Sequence, residues 1–274
     1  DPEARDRLDS CGIETVACDL LDAAQVGGLE QLPNVIYMAG RKFGAKGSEE
    51  LTWIMNTLVP ANVAQHFHGS RTVVFSTGCV YDLLPSDSEG SKETDDPAPV
   101  GEYATSCLGR ERIFSYFAEK HNTPTITYRL NYAVDLRYGV IVDVAERIAA
   151  EQPVDLTVGA ANVIWQGDAN NRALLCLERA AVPPEIINIT GPELLAIKEV
   201  AEGLGKLMNK RVTFTGRDSG RCYLSDATKS IDWFGKPAVD ARQLIQWAAE
   251  WVKSGNKRLG KPTHFTVTDG QFLD

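Results

Sequence analysis

The chain has 274 residues, 43% of them hydrophobic and 24% charged, with a formal net charge of −9, enough for one large core or an α/β domain with a smaller partner lobe. The acidic balance and the lack of any Lys/Arg run argue against a nucleic-acid partner, and no apolar stretch reaches the ~18 residues of a membrane span. The six cysteines are scattered without a C-x-x-C pair, which points to a reducing compartment and a cytoplasmic protein.

In chain order, Asp1 to Leu8 reads as the middle of a charged helix, so residues upstream of Asp1 are expected. Short β-branched runs predict strands at Ile13 to Cys18, Asn34 to Met38, Thr72 to Ser76, Thr125 to Arg129, Val154 to Val158 and Ile186 to Ile189. Amphipathic runs between them predict helices near Ala23 to Leu32, Glu49 to Phe67, Tyr103 to His121, Val140 to Glu151 and Ala169 to Ala181. Ser48 is placed to cap the second of these, with acidic residues in its first turn, and Pro60 should kink or divide it. His66 and His68, at its end, would point to different faces, so no metal site is expected there. Pro85 to Gly101 reads as a loop and a mobile flap. Later helices fall near Ala196 to Asn209, Asp226 to Phe234 and Ala241 to Lys253, and the tail from Gly260 to Asp274 reads as extended and free to pack on a neighbouring copy. This alternation predicts βα units and a mainly parallel sheet, with a main domain over 1–152 and a smaller lobe over 153–274 that returns some elements to the main sheet.

Several segments carry chemistry. Ser76-Thr-Gly-Cys-Val-Tyr81 ends a strand with the pattern S-[ST]-x-x-V-Y, and Glu93-Thr-Asp-Asp-Pro97 precedes Tyr103-Ala-Thr-Ser-Cys-Leu-Gly-Arg-Glu111. Arg129-Leu-Asn-Tyr132, Ile164-Trp-Gln-Gly-Asp168, Ile187-Asn-Ile-Thr-Gly191 and Ile197-Lys-Glu-Val200 follow in order. Together they resemble the extended short-chain dehydrogenase/reductase family, the sugar-nucleotide epimerases and dehydratases, over nearly the whole chain.

The resemblance implies a doubly wound, mainly parallel Rossmann-like α/β sheet with a C-terminal α+β substrate lobe, and NAD or NADP lying across the carboxyl ends of the strands. It implies Tyr103 as acid/base, Thr77 as the group that orients a substrate hydroxyl, and Cys107 at the position of the family's Lys. On the cofactor side it implies Asp19, Leu20, Ala39, Gly40, Arg41, Asn56 and Arg129. On the substrate side it implies Cys79, Asn131, Trp165 and Arg221. The partner is then a small molecule, with a nucleotide-sugar as the analogy, and the assembly a homodimer through the Glu49 to Phe67 and Tyr103 to His121 helices.

Two departures bear on function. The family's G-x-x-G-x-x-G turn, whose N–H groups hold a pyrophosphate, is not matched by Gly40, Gly44 and Gly47. Cys107 removes an ammonium that would lower the Tyr103 pKa from about 10, so weakened catalysis is expected unless Arg110, which shares a helical face with Tyr103 and Cys107, supplies charge; its alternative role is a surface ion pair with Glu111 or a neighbour. Gly78-Cys79 stand where family dehydratases carry Asp-Glu after the Thr, which argues for epimerisation, reduction or oxidation over sugar dehydration. The competing expectation is an inactive relative that serves as a binding or regulatory module.

Overall fold

The computed structural model describes residues 2–42, 47–261 and 263–271. Gly44 and the end of the tail lie outside the described residues. Helix α1 (Pro2–Ser10) buries no residue, and α2 (Ala23–Gly27) is capped by Asp22, whose carboxylate accepts from the Ala24 and Gln25 N–H groups. Strand β1 (Asn34–Tyr37) leads to α3 (Glu49–Trp53), a π-helical turn over Ile54–Leu58, and α4 (Val59–His66). Then come β2 (Arg71–Thr77), the long α5 (Gly101–His121) and β3 (Thr125–Leu130).

The second half has short strands β4 (Ala133–Val134), β5 (Val154–Asp155), β6 (Ala160–Ala161) and β7 (Ile164–Trp165), with α6 (Val140–Ala149) among them. After α7 (Gln166–Cys176) comes β8 (Glu185–Ile189). The chain closes with β9 (Leu195–Ala196), α8 (Ile197–Met208), β10 (Phe214–Thr215), α9 (Thr228–Phe234) and α10 (Ala241–Lys253).

The central sheet has the order β1-β2-β3-β8 with every pairing parallel. Successive β2 residues face opposite cores, as a strand period of two requires: Val73 packs with Ile126, Ile187 and Ala173, while Val74 packs with Tyr37, Val63 and Phe114. Covered on both faces, the strands read as continuous apolar runs. A further core gathers α6, α8 and α10. Because β8 pairs with β3, the central sheet draws strands from both sides of residue 152.

Several sequence expectations are corrected. Ile13 to Cys18 forms no strand; Ile13 and Val16 are 49% and 66% exposed, because alternation fixes a face but cannot supply a pairing partner. Pro60, which lacks an N–H, does not bend the helix sharply; the turn before it widens instead, with the Val59 N–H bonding to the Ile54 carbonyl. Ser48 begins α3 without a side-chain capping bond, and its carbonyl receives the Arg41 guanidinium. The Pro85 to Gly101 loop is stitched down: Ser91 N–H donates to Leu224 O and Glu93 accepts from the Asn188 N–H. The described part of the tail packs on its own chain, with Thr263 bonded to Asp143, Phe265 in the α6/α8/α10 core and Gly270 against Val100 and Gly101.

Candidate active site

β2 ends at Thr77, where its hydroxyl accepts the Cys79 N–H and caps a single 3-10 turn, Gly78–Val80. α5 starts at Gly101, and its first turns carry Tyr103 back over that strand end. The Thr77 hydroxyl stands beside the Tyr103 phenol, close enough to act on its ionisation. Both line one cavity of about 260 Å³, together with Lys42, Cys79, Asn131 and Gln166. Tyr132, on the same wall, sits in the left-handed region at φ 44°, a conformation that costs a bulky residue free energy and so marks where surrounding packing is strong.

Behind this wall Asn56 and Arg110 join a hydrogen-bond network that leaves the buried Arg110 Nε without a partner. Asn56, in the π turn, accepts from the Arg41 N–H (2.8 Å) and from Arg110 Nη2 (2.6 Å). Its amide donates to the Arg41 carbonyl and to Ser106 Oγ, both at 2.9 Å. That is close to everything an amide side chain can make, and it clamps the backbone immediately after β1. Arg110 is buried; its Nη1 donates to the Phe75 carbonyl at 2.9 Å. Its guanidinium lies directly beneath Gly40, where an added Cβ would come within 2.3 Å of Nη2. Gly40→Ala should therefore displace Arg110, lowering stability by about 1–3 kcal/mol and turnover with it; thermal unfolding and steady-state rates on one preparation measure both.

Burial pushes the Tyr103 phenol well above its ordinary pKa, with negative charge on Cys107 or Cys79 adding to the effect and Arg110 and Thr77 working against it. Burial also pushes the Cys107 thiol up to about 11, against the pull of Arg110. At neutral pH Cys107 is thus an uncharged, enclosed thiol, which suits packing and not nucleophilic attack. Lys42 is half-buried, its ammonium 5.8 Å from the Tyr103 ring centroid, and burial lowers its pKa.

A model of the NAD dependent epimerase/dehydratase family matches residues 2–188. The chain belongs to that family. Among solved structures it is similar to RMD from Pseudomonas aeruginosa complexed with NADPH, at 20% identity and TM-score 0.75 over 88% of each chain. It is also similar to UDP-glucose 4-epimerase from Thermotoga maritima with UDP-glucose, at 16% identity and TM-score 0.73 over 91% of this chain and 94% of that one. A third likeness is the UDP-glucuronic acid 4-epimerase of Bacillus cereus, a mutant in complex with UDP-4-deoxy-4-fluoro-glucuronic acid and NAD, at 17% identity and TM-score 0.73 over 88% and 82%. No curated protein matches the chain by sequence.

Of the residues that the epimerase/dehydratase pattern singled out, the structure brings Thr77, Tyr103, Cys79 and Asn131 to the cavity wall, with Cys107 behind it. Asn56, Gly40, Ala39 and Arg41 meet at the carboxyl end of β1. The others lie elsewhere. Asp19 is exposed and accepts from the Leu21 N–H in a tight turn, and Leu20 packs under α4. Arg129 is spent on Glu111 and Tyr81 inside the core. Trp165 stacks edge-on against Trp247, and Arg221 pairs with Asp82 at 3.0 Å in the open. Sequence reasoning missed Lys42, Gln166 and Thr263 as lining groups. Arg110 is not the surface partner of Glu111; that carboxylate belongs to Arg129.

Proposed function

We propose that the chain is an NAD(P)-dependent oxidoreductase or epimerase acting on a sugar or nucleotide-sugar alcohol, with Tyr103 moving the proton and Thr77 orienting the substrate hydroxyl. The observation that carries this reading is that Tyr103 and Thr77 stand side by side on the wall of a single cavity. The donor set suits the nicotinamide end of a dinucleotide and a sugar alcohol, with hydroxyls and amides from Thr77, Tyr103, Asn131 and Gln166 beside the Lys42 cation. Ala39, Gly40 and Arg41 would flank the dinucleotide. When bound, the nicotinamide supplies hydride exchange with the substrate carbon. Tyr103 takes or returns the hydroxyl proton, and Thr77, fixed by the Cys79 N–H, holds that hydroxyl in line. Screening UDP-sugars for turnover with NAD and NADP tests the reading; saturable binding and a nicotinamide absorbance change are the expected result.

Cys107 favours a second reading, a relative that binds but does not turn over. Titration of the full chain with NAD and NADP decides between them: no saturable binding by either would support a non-catalytic module.

The assembly we propose is a homodimer through the segment from Glu49 to Phe67 and the helix from Tyr103 to His121. Leu51, Ile54 and Leu58 lie along one stripe at helical spacing and are 46%, 38% and 45% exposed, which a symmetric partner would cover. Leu58→Glu should convert the dimer to monomer in sedimentation; a wild type that already sediments as monomer removes the proposal.

A further inference from the structure

Three observations bear on which cation faces Tyr103 from within the cavity. Cys107 is fully enclosed and does not reach the cavity, so the position that carries Lys in the resembled motif presents no charge there. Arg110 is near, but its two terminal nitrogens are taken by the Phe75 carbonyl and Asn56, and it too stays behind the wall. Lys42 does line the cavity, in the same wall as Tyr103 and Thr77, and its ammonium lies over the Tyr103 ring.

The approach of Lys42 is built into the backbone. Asn56 holds both the N–H and the carbonyl of Arg41, and Arg110 fixes Asn56 in turn, so the residue before Lys42 cannot swing. Two elements that are distant in sequence therefore fix the backbone from which the lysine side chain leaves. The groups facing Tyr103 are Cys107 and Arg110 on its own helix, Cys79 after β2, Tyr132 after β3, Tyr223 ahead of α9, and Lys42 after β1, with His264 of the tail set against Lys42. Arg110 acts on the phenol from behind the wall, and Lys42 is the cation that lines the cavity beside it.

We propose that Lys42 supplies the ammonium that position 107 lacks and stabilises the Tyr103 phenolate, as a positioning and charge-supplying residue for proton transfer. This rests on the reading of Tyr103 as the proton-transfer group. Stabilising the phenolate lowers the phenol pKa, so removing Lys42 raises it and moves the rising limb of a base-dependent rate to higher pH.

The test is a fluorinated tyrosine incorporated at Tyr103 in the full chain, titrated by fluorine NMR with no cofactor or substrate; the fluorine brings the phenol titration down into reach. Lys42→Met should raise its apparent pKa by about one to two pH units, the size of one charge interaction at this separation. Lys42→Arg should keep most of the original value, and Cys107→Lys in the Lys42→Met background should restore it. An unmoved titration in Lys42→Met overturns the proposal. So does a loss of NAD or NADP affinity with the titration unchanged, which would make Lys42 a phosphate-binding cation. Circular dichroism checks that Lys42→Met is folded, and Lys42→Gln is a second variant. Because the titration needs no turnover, a chain without activity on any sugar would defeat the proposed function and leave this measurement standing.

Discussion

Tyr103→Phe should lower turnover by roughly 10²–10⁴, the range supplied by a positioned proton donor or acceptor, while the protein stays folded. The ring is half-buried against Cys79, Leu83, Ala104 and Tyr223, and those contacts do not need the hydroxyl. What is lost is the polar contact of one hydroxyl beside Thr77, worth about 1 kcal/mol at most in a partly buried setting. Steady-state rates, nicotinamide affinity by fluorescence and thermal unfolding on the same preparation check the three parts. Unchanged turnover removes Tyr103 from the reaction. Turnover lost together with affinity and stability would make the phenol a structural group. Thr77→Val offers a graded comparison, since it also uncaps the Gly78–Val80 turn by taking away the acceptor of the Cys79 N–H.

The four central strands were legible in the sequence because strands covered on both faces are short apolar runs between breakers, and Thr72 to Ser76 or Ile186 to Ile189 can hardly be read otherwise. α10 was legible to the residue, from an amphipathic pattern opened by Asp240. Ile13 to Cys18 misled for the opposite reason, since local alternation is silent about whether a neighbour exists to pair with. The Thr77 and Tyr103 pair could be found because both sit at the ends of regular elements, where spacing fixes position. Lys42 could not, because it lies in irregular chain and reaches Tyr103 only through the Asn56 clamp, a contact between residues 15 apart in sequence. Arg129 shows the reverse failure. A motif named it for the cofactor side, yet nothing local reveals that Glu111, from another element, captures its guanidinium through two bonds along one edge.

Arg129→Met should be the most destabilising of the substitutions considered, by about 3–5 kcal/mol, because it leaves a buried carboxylate without its cation. Arg129 is 1% exposed. Its Nε and Nη2 reach the two Glu111 oxygens at 3.0 and 2.7 Å, and its Nη1 donates to the Tyr81 hydroxyl at 2.7 Å. Burial penalises the cation, and the bonds and charge of Glu111, with a contribution from Tyr81, more than offset it, so its pKa rises above the arginine value. The network then spreads: Ser76 donates to Glu111, and Tyr81 donates to Asn188. It thereby ties β2, β3, α5 and β8 into one unit beneath the cavity. Losing the cation strands Glu111 with a single hydroxyl donor, which should lower the unfolding midpoint by on the order of 10 °C. Replacing both partners, Glu111→Leu with Arg129→Met, should recover much of the loss, since the penalty comes from the unpaired charge and not from the missing pair. Calorimetry of the two single variants and the double resolves this. The same proteins separate the two roles considered for Arg129: if Arg129→Met unfolds near the wild-type temperature but binds NAD or NADP tenfold more weakly, the arginine serves the cofactor and the buried pair contributes little to the fold.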